Sequence, residues 1–363
     1  MNNTDQLRDL GQRLWLDGLD RGTLDAGGLR RDVQELSITG VNCDAVTIDE
    51  AMGLSDAGVE GMRAKAGGGS GGPDIHVVLA LEDLSRVAAL LQAAWDASAG
   101  LDGWVSMGLS PLLAHDAAGT TAAAGDLHRR AVRPNLMVAI PGTTEGLAAI
   151  EDCIFAGIPV NASLLFSAEQ YRSAALAYLR GIERRLEAGR DPTVGCVASV
   201  VVSPWDEHLA DRVTADRRNQ LGIAIARRTH RVYRELLATP RWLRLAAAGA
   251  RPQRLLWTKT ATRDPQLSES WYVEALAAPD TIVAMSQRTL RAFAAKGRLL
   301  GAKAAEAGNA EATLARIVRA GIDIDALAEQ LQVEAVAARM RSWENPLRWI
   351  GVVSEAPERG SAA

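Results

Sequence analysis

Eight short runs of apolar and β-branched residues, set between longer stretches of helical period, constrain this chain more than any other feature. They fall at Arg13–Asp17, Ile38–Asp44, Gly103–Leu109, Asn135–Ile140, Ile158–Ser163, Cys196–Val202, Arg254–Lys259 and Thr281–Met285. Strands joined through helices lie parallel in one sheet, and eight such units close into a (β/α)8 barrel. The chain's 363 residues hold one barrel of roughly 250 residues together with extra helices. The expected organisation is a single barrel domain over residues 1–350 and a disordered tail over 351–363. Helical period runs through Leu81–Ala99, Ala168–Ala188 and Arg217–Leu237, and an Ala/Leu/Arg-rich helical segment over 304–350 is expected to close over the barrel. The glycine-rich run Gly67–Gly72, followed by Pro73, reads as a flexible loop.

Composition narrows the function class. A net charge of −4 without a basic cluster gives no case for nucleic acid or an anionic membrane. The start has no basic and apolar leader pattern, and no apolar run approaches the length of about 18 residues that a spanning helix needs. Three cysteines without a CxxC pair fit a reducing compartment, so a cytoplasmic setting is expected. Cys43 beside Asp44 is a weak nucleophile candidate, having no basic residue near it in sequence. The five histidines show no metal-binding spacing, and no phosphate-cradling glycine motif follows a strand. No metal and no cofactor are expected. Lysine is scarce, with only Lys65, Lys259, Lys296 and Lys303, so an amine-dependent mechanism has few candidates.

Several ordered blocks carry a family resemblance. Asn135 to Gly146 reads NLMVAIPGTTEG, Leu14 to Asp17 reads LWLD, and Leu113 to Asp116 reads LAHD. Val160 to Ser167 reads VNASLLFS, Val197 to Ser199 reads VAS, Leu256–Trp257 is followed by Thr262 to Pro265 (TRDP), and Trp271 to Glu274 reads WYVE. In this order and spacing they resemble the longer bacterial transaldolases over nearly the whole chain, from Leu14 to about Trp349. The resemblance implies transferase chemistry of the aldolase type in carbohydrate metabolism, with a Schiff-base lysine on strand four and a proton-transfer carboxylate at Asp17.

The departures gather where that chemistry belongs. The family lysine falls at Ala139, the strand-three glutamate at Gly108, and the phosphate-binding arginine at Pro204. The asparagine of T-S-N-P becomes Asp44 within Asn42-Cys43-Asp44-Ala45, and the serine of W-A-S-T-G becomes Lys259. Counting alternate residues along the strands puts Asp17, Asp44, Gly108, Ala139, Ser163, Ser199 and Lys259 on the inward face near the strand C-termini.

The candidate catalytic set is therefore Lys259, Asp17, Asp44 and Ser163. Lys259, among Leu255 and Trp257, reads either as a relocated Schiff-base amine, as an anion clamp, or as an ion-pair partner of Asp17 or Asp44. Asp44 equally suits a helix cap, and Ser163 and Ser199 equally suit strand-end hydroxyls bonded to backbone. Asn42, Asn161, Ser199, Trp104, Trp205 and Arg263 form the candidate substrate-binding set, although the two tryptophans equally suit space-filling. Three readings stay open: a barrel enzyme with altered carbonyl chemistry in specialised metabolism, an inactive homologue that binds a ligand or partner, and an ordinary transaldolase carrying a Lys-to-Ala change at 139. The expected ligand is a small carbonyl or sugar-like molecule, and the expected state is a monomer or homodimer.

Overall fold

The computed structural model describes residues 2–19, 24–43, 72–210, 212, 218–299 and 310–355, with the backbone alone for 72–76 and 344–355. Eight parallel strands pair in sequence order and close into a barrel: β1 (Arg13–Asp17), β2 (Ile38–Cys43), β3 (Trp104–Gly108), β4 (Leu136–Pro141), β5 (Val160–Leu165), β6 (Cys196–Val201), β7 (Arg254–Thr258) and β8 (Ile282–Met285). The sequence places all eight within a few residues. Around them run α1 (Asn3–Leu10), α2 (Gly28–Glu35), α3 (Gly72–Ala97), α4 (Ala117–Ala131), α5 (Thr144–Ala156), α6 (Ala168–Glu187), α7 (Ser203–Leu209), α8 (Leu221–Leu237), α9 (Pro240–Ala247), α10 (Trp271–Ala275), α11 (Gln287–Lys296), α12 (Ala310–Arg319) and α13 (Ile324–Glu355). This is the (β/α)8 barrel with extra helices, including the C-terminal helical segment.

Two boundaries differ from the sequence reading. Helix α3 begins at Gly72, so the end of the glycine run is already helical, while 67–71 lie outside the described residues. Helix α13 continues past 350 to Glu355, into the stretch read as tail.

Local chemistry explains how strands pass into helices. After β4, the Thr143 hydroxyl accepts the Gly146 N–H at 3.1 Å and donates to the Ala114 carbonyl at 2.7 Å, capping α5 and tying it to the neighbouring loop. Gly146 is required there, because a Cβ would collide with the Pro141 carbonyl oxygen. Asp116 caps α4 by accepting from Gly119, and Ser167 caps α6 by accepting from Gln170.

The barrel interior is layered by side-chain size. Its lower layer packs Trp15, Trp104, Met137, Val197, Leu256 and Ile282. Two indoles fit because glycine faces each of them: a Cβ on Gly40 would enter the Trp15 ring, and one on Gly195 the Trp104 ring. The outward faces of the strands belong to a separate core under the helices, which holds Leu14, Cys43, Leu255 and Trp257. On β7 the inward residues are therefore Leu256 and Thr258, one position out of step with the sequence count.

Candidate active site

At the C-terminal end of the barrel the large side chains give way to small and polar ones, and a cavity of about 470 Å³ opens. That size lies within the range of ligand pockets, roughly 300–1,000 Å³. Its floor and walls include Asp17 on β1, Asn42 on β2, Ala139 on β4, Asn161 and Ser163 on β5, and Ser199 on β6. Thr258 and Lys259 come from the end of β7, and Pro204 from α7. Helix α13 lies across the mouth and contributes Leu331, Glu334, Ala335, Ala338, Arg339 and Ser342.

A one-way hydrogen-bond chain crosses the cavity floor. Asn42 Nδ2 donates to Asp17 Oδ1 (2.9 Å), Asn161 Nδ2 donates to Asn42 Oδ1 (3.2 Å) and to Ser106 Oγ (2.9 Å), and Ser199 Oγ donates to Asn161 Oδ1 (2.6 Å). The direction follows from its end. A carboxylate can only accept, so Asn42 must turn its amide N–H to Asp17 and its oxygen to Asn161, which fixes the next link likewise. Strands β1, β2, β5 and β6 are thereby tied to the orientation of one charged group, with Ser106, Asn161 and Ser199 all buried.

Helix α13 is held onto this mouth by its own polar side chains. Gln332 Nε2 donates to the carbonyls of Gly142 (3.1 Å) and Leu164 (2.9 Å), and Arg339 donates to Ser163 Oγ at 3.4 Å. Leu164 is left-handed (φ 57°), at the place where the register of β5 slips against β6. A bulge of this kind re-aims side chains beside a site, and here it turns Leu164 into the cavity wall.

The sequence-predicted residues divide cleanly by position. Asp17, Asn42, Ala139, Asn161, Ser163, Ser199 and Pro204 come together at the cavity. Lys259 reaches its rim but not from the inward row. It follows the last residue of β7 with φ 53°, its carbonyl accepts the Ser203 N–H, and its side chain is exposed instead of lying among Leu255 and Trp257. The apolar surroundings expected for that amine are therefore missing.

Trp104 is at the barrel floor, its Nε1 donating to Gly100 O, and so is far from the mouth layer. Trp205 is fully buried under α12 and α13, its Nε1 donating to Phe166 O, and it lines no part of the cavity. Arg263 is 85% exposed and pairs with Glu207 at 3.3 Å on the surface. Cys43 points outward into the core beneath the helices, not to a pocket mouth. Asp44 lies outside the described residues.

Three features escaped the sequence reading. Ser106 shares the inward parity of Trp104 and Gly108, a signal that the candidate site set leaves unused. Thr258 is missed by an alternation counted from Lys259, which lies one residue past the end of β7. Glu334, Arg339 and Gln332 of α13 carry no local signal, because only tertiary packing brings that helix across the mouth.

Next to Pro204, Asp206 anchors the α7–α8 corner. Its carboxylate accepts from the N–H groups of Leu221 (2.9 Å) and Gly222 (3.0 Å) and from the Tyr272 hydroxyl (3.0 Å). Burial pushes this carboxyl up to about 6, with those hydrogen bonds pulling the other way. Among the described residues no cluster of histidine, cysteine and carboxylate side chains is placed to hold a metal, and no helix is long and apolar enough to cross a membrane.

The family described as Transaldolase/Fructose-6-phosphate aldolase matches residues 14–349. The chain belongs to that family. A transaldolase of Parafrankia sp. (strain EAN1pec) is 36% identical over 346 residues, covering 93% of this chain and 94% of that protein. One from Frankia alni is 36% identical over 356 residues (95% and 96%), and one from Thermobifida fusca is 35% identical over 351 residues (94% and 95%). In this transaldolase-family barrel the mouth cavity carries the Asp17 carboxylate from strand one and the Ala139 methyl group from strand four.

Proposed function

We propose that this chain is an enzyme of transaldolase descent with altered chemistry, which enolises a small sugar-like or partly apolar carbonyl compound as the opening step of an aldol, retro-aldol or isomerising reaction. Asp17 takes the proton α to the carbonyl, and the Lys259 ammonium meets the oxyanion that develops as the C–H electrons move onto oxygen. Asp44 serves as a second acid–base group, and Ser163 as a hydroxyl contact. The observation that carries this reading is a carboxylate and a lysine lining one cavity of about 470 Å³, with Ala139 between strands three and five. The chain of hydrogen bonds from Asn42 to Ser199 supports it by holding Asp17 in a fixed orientation.

Lys259→Arg tests it, because a guanidinium keeps the charge but cannot form an iminium. Turnover of a ketose or aldose should survive in Lys259→Arg and fall away in Lys259→Ala. Equal loss in both would move the chemistry to a Schiff base on Lys259, a reading favoured by its being the one lysine at the cavity among the described residues.

Two other readings rest on observations of their own. The exposure of Lys259 and the methyl of Ala139 favour an inactive homologue that binds a ligand without turnover. The shared name of the relatives favours ordinary transaldolase chemistry equally with the altered kind, with Ala139 as a Lys-to-Ala change. A single barrel domain over 1–350, a cytoplasmic location, a monomeric or dimeric state and a place in specialised metabolism belong to the same proposal.

A further inference from the structure

A small cleft opens off the main cavity between β3, β4 and α13. Ala139, Leu164 and Arg339 line both spaces, whereas Gly108, Leu113 and Val336 line the cleft alone. Leu164, turned inward by the bulge in β5, stands as the divider between them. The cleft lies where Gly108, the last residue of β3, pairs directly with Ala139 of β4, two of the smallest side chains in its lining.

Size and chemistry limit what fits there. The cleft measures about 30 Å³. One water needs roughly 10–15 Å³ on that measure, so the space suits a methyl to an ethyl group. Its wall is mainly leucine, proline, alanine and valine. Of its polar groups, the Thr120 hydroxyl donates to Leu113 O at 2.9 Å, Arg339 reaches toward Ser163, and Ser110 alone brings a further hydroxyl. A hydroxymethyl group would find side-chain partners only at the polar rim, Ser110 and Arg339, and would face an apolar wall elsewhere, while an alkyl group needs no partner.

We propose that this cleft is a specificity pocket for a small alkyl terminus of the substrate, a deoxy end in place of a hydroxymethyl end; the proposal rests on the carbonyl-compound reading above. The substrate then lies with its polar carbons over the Asp17–Asn42–Asn161 floor and its alkyl end past Leu164 against Gly108.

The test is equilibrium binding of a matched pair, erythrulose and 1-deoxyerythrulose, by titration calorimetry to the wild-type chain and to Gly108→Val. The wild type should bind the deoxy compound roughly tenfold or more tightly, within the scale on which an apolar pocket disfavours an added hydroxyl. Gly108→Val should abolish that preference, because Gly108 lines the cleft and not the main cavity. Val336→Met fills the same space from α13 and should act alike, which keeps the test valid if the strand variant does not fold. Equal affinity of the wild type for both compounds, or a preference that survives both variants, would overturn the cleft assignment while leaving the carbonyl site standing. Binding of neither compound would overturn both.

Discussion

Replacing Asn161 by aspartate exchanges an amide for a carboxylate and reverses the logic of the cavity floor. The wild-type amide donates to Asn42 and Ser106 and accepts from Ser199. A carboxylate keeps the Ser199 bond, and Ser106 can rotate its hydroxyl to donate, but Asn42 then faces oxygen with oxygen. Asn42 cannot flip without breaking its 2.9 Å bond to Asp17. One buried bond is lost outright, at about 1–3 kcal/mol, and a second negative charge is placed in the same network. We expect Asn161→Asp to cost roughly 2–4 kcal/mol at pH 7.5. Protonating the new group gives it an O–H that can donate to Asn42, so the penalty must be pH-dependent. Its folded-state pKa lies above the unfolded value. The penalty is therefore absent well below the unfolded pKa and grows as pH rises toward the folded one, by about 1.4 kcal/mol for each pH unit that separates the two. Urea unfolding of the wild type, Asn161→Asp and Asn161→Ala between pH 5 and 8 reads this directly. The difference between Asn161→Asp and wild type should widen with pH, while that for Asn161→Ala stays flat. A penalty for Asn161→Asp that is the same at pH 5 and pH 8 would refute the one-way chain.

Other outcomes follow from the same geometry. Tyr272→Phe removes a donor to the buried Asp206 carboxylate and should cost about 1–2 kcal/mol at pH 7.5, and thermal melts should show the loss shrinking as pH falls through about 6, where that carboxyl takes up a proton. Glu311 bridges Arg228 and Arg231 and so fastens α12 to α8, with its carboxyl held down at about 2, mainly by the Arg228 hydrogen bond. Because the pair is half exposed, Glu311→Gln should cost no more than about 0.5–1 kcal/mol near neutral pH; the loss should fade in high salt and vanish as pH drops from the unfolded carboxylate value through about 2. Gly40→Ala drives a methyl group into the fully buried Trp15 indole and should cost about 1–3 kcal/mol or more, whereas Gly189→Ala, with open space around it and φ 67°, should cost only about 1 kcal/mol in backbone strain. Ala139→Lys should yield a borohydride-trapped ketose adduct at residue 139 by peptide mass mapping, without restoring transaldolase turnover, since Gly108 and Pro204 remain; full restoration would favour the ordinary-transaldolase reading.

Strand positions are legible here because each strand is a run of apolar residues buried on both faces, bounded by helix caps such as Thr143 and Ser167 that announce themselves. The inward row is legible where the strand stays regular. That holds for β1, β4 and β6, so Asp17, Ala139 and Ser199 fall where alternation puts them. It fails at β7, although the register of that strand is unbroken: Lys259 lies one residue past the strand end, so a count that puts Lys259 inward exchanges the two faces and misses the inward pair Leu256 and Thr258. Trp104 has the right parity at the wrong height: alternation reports which face a residue takes, not how deep along the barrel it sits. The α13 contribution is illegible for a different reason. Helical period over 304–350 shows that a helix forms, but only packing brings Gln332 to the carbonyls of Gly142 and Leu164 and sets Arg339 beside Ser163.

Everything proposed for the cavity depends on Asp17 moving a substrate proton at the barrel mouth. Proton NMR of ketoses incubated with the protein in D₂O reads that step before any product is formed. Deuterium should enter the carbon next to the carbonyl with the wild type. Exchange should be lost with Asp17→Asn, which keeps an oxygen acceptor for Asn42 and so keeps the fold. A ketose that binds the wild type without exchange, or exchange that proceeds equally in Asp17→Asn, would contradict the proton-transfer role.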